Sequence, residues 1–121
     1  MAASHSSDSL SFTFCYGFSR APIPQEGAEA TSEEWKFTLY TADDGIHYAP
    51  VCNPSVPGKP NEATVRFMED DTMIALVRRE GGNTFCWIGT AKPPYTGWSW
   101  HETGYRIGGP NFIILPDGSM W

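Results

Sequence analysis

Apolar and polar residues alternate in several stretches of the chain with a period of two, the repeat of a strand and not of a helix. In LSFTFCYGF (10–18), Phe12, Phe14, Tyr16 and Phe18 share one parity, which predicts a strand with an aromatic face. WKFTLY (35–40) and IHYAPV (46–51) predict two more, joined through the turn DDG at 43–45. After NPSVPGKP (53–60), strands are expected over Ala63–Phe67, Thr72–Arg79, Phe85–Thr90 and Trp98–Thr103, linked by EDD, EGGN and KPPYTG. NFIIL (111–115) begins another strand before a PDG turn and SMW. The polar residues 1–9 are expected as a disordered tail, and RAPIPQEGAEATSEE (20–34) as a long loop. The most helix-like window, EGAEATSEEW, has no apolar stripe, so the class is all-β.

A short repeat adds architecture. FMEDDTM (67–73) and ILPDGSM (114–120) match as apolar, turn, acid, turn, hydroxyl, Met at an offset of 47. Four short strands per unit and a period near 50 predict four-stranded antiparallel blades of a β-propeller, with a sandwich as the competing fold. The expected division is blade-like strands over 10–60, a four-stranded blade over 61–104, and the start of a further blade over 105–121. A propeller closes with at least about four blades. The 121 residues supply about two of them, so the rest of a propeller, or self-association, is expected to cover the open edge.

The candidate chemistry sits on the hairpin around Glu69-Asp70-Asp71. With residue 70 at the turn centre, opposite residues sum to 140, so Phe67 faces Met73, Val65 faces Ala75 and Glu62 faces Arg78. A bulge or one-residue slip would bring Arg79 in instead. The plain interpretation is a rim ion pair worth about 0–1 kcal/mol. The sharper one gives Arg78 an anionic ligand group to hold in its planar fork, with Glu62 orienting a partner or taking a proton. Arg106 is a further candidate anion contact.

TADDGIHY (41–48) carries Thr41, Asp43, Gly45 and Tyr48 at spacings i, i+2, i+4 and i+7. Asp43 could accept backbone N–H bonds in the turn, Gly45 could take a positive φ, and Tyr48 could pack beneath. An ordinary DG hairpin is the plain alternative. The motif resembles the Asp-box of sialidase-like propellers, with His47 where Thr is usual and Tyr48 in place of Trp. NEATVRFMEDDTMIALVRREGG, with Arg78 sixteen residues after Glu62, is similar to a strand pair of the same superfamily. WIGTAKPPYTGWSWHETGYRIGGPNFIILPDGSMW extends the likeness to bacterial exo-α-sialidase-like proteins, so that it covers about residues 10–121.

The resemblance implies a six-bladed propeller, present here in part, and a carbohydrate ligand. It implies a retaining glycoside hydrolase with a Tyr nucleophile activated by a Glu and an arginine triad that holds the sugar carboxylate. By motif position Glu62 matches the activating Glu and Arg78 the second arginine of the triad. The nucleophile, the acid/base Asp and the remaining triad arginines have no match, and Arg20 in RAP is not assigned. The expected function is therefore part of a sialidase-like hydrolase acting on an anionic or related glycan, inactive as the isolated chain. A non-catalytic carbohydrate-binding or structural propeller is the alternative.

Composition narrows the partners. A formal charge of −6 speaks against nucleic-acid and anionic-membrane surfaces. No stretch approaches the ~20 apolar residues of a membrane span. His5, His47 and His101 share no ligand spacing with Cys52 or Cys86, so neither a metal nor a cofactor is expected. Cys15, Cys52 and Cys86 read as free thiols of a reducing compartment, with a single incidental disulfide as the alternative; with the missing signal-peptide pattern this leaves localisation open and favours the cytoplasm weakly. Trp98 and Trp100 share a face and are expected to pack between blades, with sugar stacking as the alternative use.

Overall fold

The computed structural model describes residues 2–7, 12–22 and 35–121. Most of the loop expected at 20–34 lies outside them. Among the described residues there is no helix, and the strands form two antiparallel sheets. The first contains β1 (Ala2–Ser7), β2 (Phe12–Pro22), β3 (Trp35–Ala42) and β4 (Ala49–Cys52), in that spatial order. The second contains β5 (Pro60–Phe67), β6 (Met73–Arg79), β7 (Trp87–Ala91) and β8 (Ser99–Glu102), also an up-and-down meander. This second sheet runs from Pro60 to Glu102.

Several boundaries differ from the sequence pattern: β4 starts at Ala49 and not Ile46, β5 at Pro60 and not Ala63, and β7 at Trp87 and not Phe85, while three further differences have a backbone reason. Ala2–Ser7, expected as a tail, is an edge strand pairing with β2 from Ala2↔Gly17 to Ser7↔Phe12. AASHSS has no apolar alternation, so the pairing is a main-chain matter that side-chain patterning does not announce. β2 continues past Phe18 because Arg20 pairs with Phe37 and Pro22 with Trp35. Pro22 is tolerated at the strand end, where the ladder does not need its missing N–H. Around NFIIL the ladder is reduced to a bridge between Ile114 and Met120, with Ile113 and Trp121 exchanging both backbone hydrogen bonds.

The register of the central hairpin follows its turn: Phe67↔Met73, Val65↔Ala75 and Ala63↔Val77 are partners. β6 lies between β5 and β7 and is buried on both faces, which is why MIALV is continuously apolar. Met73, Ala75 and Val77 face the first sheet, packing with Phe37, Leu39 and Val65. Ile74 and Leu76 point the other way, onto Cys86 and Phe112. Burial of side chains as large as Leu39 and Met73 contributes roughly 1.5–3 kcal/mol each.

Aromatic rings close the space between the sheets. Phe18 stacks on Phe37 at 4.4 Å and meets Trp98 edge-on at 5.6 Å, while Trp98 stacks on Trp100 at 5.1 Å. Tyr16, Phe67 and Tyr95 form a second cluster with centroids 5.2–5.9 Å apart. Trp98 and Trp100 thus pack against the core between the sheets, as their shared parity predicts. Gly89 is the cross-strand partner of Trp100, whose ring lies where a Cβ would stand, 2.3 Å from it.

The segment after β8 crosses the other face of the second sheet. Thr64 donates its hydroxyl to the Pro110 carbonyl at 2.5 Å, and Arg66 donates to Asn111 at 2.9 Å while lying over Phe112. These contacts seat the hairpin 113–121 beside β5 and place Gly108 above the open end of the β5–β6 hairpin.

Candidate functional site

Glu62 and Arg78 meet where the turn-centred register puts them. The β5–β6 ladder is regular to Ala63↔Val77, then shifts through a bulge to Pro60↔Arg79. Across that bulge Arg78 Nη1 donates to Glu62 Oε2 at 3.2 Å. The same nitrogen donates to the Gly108 carbonyl at 2.7 Å, and Nη2 lies 2.7 Å from Glu80 Oε1. Glu80 also accepts from Asn61 Nδ2 at 3.1 Å. The Arg78 side chain keeps 26% of its surface exposed and that of Glu62 54%, so the cluster opens to solvent.

Arg79 has a different role. Alternation along β6 turns it to the opposite face from Arg78, where only 6% of the side chain stays exposed. Its Nε donates to the Phe85 carbonyl at 2.6 Å, Nη2 bonds Asn83 and Glu102, and the guanidinium lies 4.9 Å from the Trp87 ring centre. Its Nη1 borders Gly58, whose φ of +85° and close approach leave no room for a side chain. The Arg79 bond holds the Glu102 carboxyl below its ordinary range, with Asn83 adding to the effect. The structure therefore separates the two neighbouring arginines, one at an open cluster and one inside a brace.

Arg106 is exposed and makes no hydrogen bond or ion pair with the described residues. It precedes Gly108 by two positions, which puts it in the segment that supplies a carbonyl to Arg78.

The turn at 41–48 is built one residue away from the expected position. Asp44, not Asp43, accepts the backbone N–H groups of Ile46 and His47 at 2.8 and 2.7 Å, and its other oxygen lies 2.5 Å from His47 Nδ1. The His47 side-chain contact, then the two N–H bonds, lower its carboxyl to about 2. Gly45 takes the expected positive φ, 73°, but Asp43 and Tyr48 are exposed and Thr41 Oγ1 is buried without a hydrogen-bond partner among the described residues.

Two further turns share the Asp44 arrangement. Asp70 accepts from Thr72 N at 3.1 Å and Asp117 from Ser119 N at 2.9 Å. The residue after each acid is left-handed: Gly45, Asp71 and Gly118 have φ of 73°, 66° and 83°. A cleft of about 530 Å3 separates the Asp70 and Asp117 turns, floored by Phe67, Met68, Ile114 and Leu115. No group of three His, Cys, Asp or Glu side chains among the described residues is placed to hold a metal.

The sequence pattern identified Glu62 and Arg78 but missed Glu80 and the Gly108 carbonyl. Glu80 was accessible in principle, because it lies two residues beyond Arg78, just past the end of β6, and so keeps the parity of Arg78. Gly108 is 30 residues from Arg78; RIGGP reads as a strand entry near the ligand end, but nothing local marks its carbonyl as an acceptor for Arg78. Comparison with family models, curated proteins and solved structures gives no match to the chain.

Proposed function

We propose that the cluster of Glu62, Arg78, Glu80 and the Gly108 carbonyl is a glycan-binding site at one end of a sialidase-like, propeller-type array of sheets. The reading is supported by one observation above the rest: Glu62 and Arg78 face each other at the open end of a hairpin and remain solvent-accessible. A carboxylate and a guanidinium offer acceptors and donors within one hydroxyl's reach, which suits a ring bearing adjacent hydroxyl or amide groups. Further support comes from the two equivalent turns at 70 and 117, since successive units with one turn geometry are what a radial array of blades requires. Arg106, exposed and without an ion pair among the described residues, adds a donor to the same segment.

Hydrolysis is the second reading, favoured by the position of Glu62 beside Arg78. It would need a nucleophile and an acid/base that the cluster lacks, supplied by further units of a complete array. The chain by itself is then a recognition module, completed by further blades or by self-association.

Ligand-observed NMR with a panel of neutral and sialylated oligosaccharides tests the reading. Binding that weakens about tenfold or more in Arg78→Ala supports it, that being the loss of at least one charge-assisted hydrogen bond. Absence of binding across the panel, or binding untouched by Arg78→Ala, would sink it. Release of free sugar from a fluorogenic sialoside by the wild-type chain would move the assignment to hydrolysis.

A further inference from the structure

Arg78 is held from two sides by acids. Nη1 gives its protons to Glu62 and to the Gly108 carbonyl, and Nη2 contacts Glu80. One guanidinium thus faces two carboxylates, leaving one negative charge in excess within the cluster. Glu80 is itself fixed by the Asn61 amide, which shares the oxygen that contacts Arg78. It stands as a built second wall of the site, two residues along the chain from the arginine and just past the end of β6.

An anionic sugar entering here would bring a third carboxylate to a single guanidinium. Like charges at such range cost affinity, and three of the five N–H donors of Arg78 already serve protein acceptors, two of them carboxylates. An uncharged hydroxyl or amide meets no such penalty. A hydroxyl accepts one of the remaining Arg78 protons while donating to Glu62 or Glu80, and only a group that both accepts and donates fits between them. We propose that Glu80 is a specificity-determining residue, which sets the Arg78 cluster to take uncharged hydroxyl or amide groups of a glycan in preference to carboxylates. This rests on the glycan-binding reading and makes it narrower.

Methyl β-glucoside and methyl β-glucuronide test the proposal, because the rings match and differ only in a hydroxymethyl against a carboxylate. Each is titrated by NMR into the wild-type chain and into Glu80→Gln, which keeps the shape and the acceptor for Asn61 but removes one charge. The proposal expects the wild type to prefer the glucoside. It expects Glu80→Gln to shift the ratio of the two affinities toward the glucuronide by about tenfold, the effect of one neighbouring charge. A second measurement needs no variant: raising ionic strength screens the excess negative charge, so wild-type glucuronide binding should hold or tighten. Preference for the glucuronide, weakened by salt and unchanged in Glu80→Gln, would overturn the role of Glu80 while leaving the site standing. Failure of either protein to bind either sugar would overturn both the site and the role.

Discussion

Asp70 and Asp117, 47 residues apart, occupy the same place in the same turn. Each accepts the N–H two residues ahead, from Thr72 and from Ser119. Behind each acid the backbone closes alike: Met68 N bonds Thr72 O at 2.9 Å and Asp71 N bonds Met68 O at 3.1 Å, while Leu115 N bonds Ser119 O and Gly118 N bonds Leu115 O, both at 2.8 Å. Even the flanking partners correspond, Phe67 with Met73 and Ile114 with Met120. The short likeness between FMEDDTM and ILPDGSM is thus a repeat of hydrogen bonds as well as letters.

The left-handed residue is what the turn demands, and Gly118 isolates its cost. A Cβ there would meet nothing within 4 Å, so Gly118→Ala changes backbone conformation alone. The expected penalty is about 1–2 kcal/mol. It should appear as amide exchange at Ile113 and Trp121 faster by about tenfold, since 1.4 kcal/mol is a factor of ten. Unchanged protection of those two amides would contradict the equivalence of the turns.

Gly89 makes the opposite case, where space and not conformation decides. Its missing Cβ is the seat of the Trp100 ring, and Trp100 carries Trp98 and through it Phe18. Gly89→Ala should destabilise the fold by about 1–3 kcal/mol, the usual cost of overpacking a core. Denaturant unfolding followed by tryptophan fluorescence would show it as a lower midpoint. An unchanged midpoint would mean that the Trp100 ring does not pack on this strand.

Acid should act on the carboxylates that hold turns. Asp44 is lowered to about 2 by His47 and two backbone N–H groups, and Asp70 and Asp117 are lowered by Lys92 and by Ser119 in turn. A depressed folded value means that stability is complete above the unfolded value, 3.8 for Asp44, and is lost as pH falls from there toward 2. The melting temperature is therefore expected to be flat near neutrality and to fall within that window. Asp44→Asn should flatten part of the decline. A decline centred near pH 6 would assign acid sensitivity to histidine and contradict this reading.

How much of this was legible in the sequence follows from where each cause lies. The facing of Glu62 and Arg78 depends on a turn centre and a two-residue period, both local, and could be counted from the letters. The choice between Asp43 and Asp44 was also available: in ILPDGSM the acid stands immediately before the left-handed glycine, and Asp44 stands so before Gly45. The spacing of the Asp-box motif pointed one residue earlier. β1 was hidden because its polar residues pair through backbone atoms, and the Gly108 carbonyl because its approach to Arg78 is set by the packing of a distant segment. Arg79 shows both limits at once, since its face was readable and its burial against Glu102 and Trp87 was not.

The central claim is that Glu62 and Arg78 are joined for a ligand and not as a brace. A double-mutant cycle with Glu62→Gln and Arg78→Ala tests it, read out both as unfolding free energy and as affinity for a neutral oligosaccharide. An exposed pair should couple by less than about 1 kcal/mol in stability. The account predicts a larger coupling in binding, with both single variants losing affinity while the fold keeps its unfolding midpoint. Coupling confined to stability, with affinity indifferent to both residues, would contradict it.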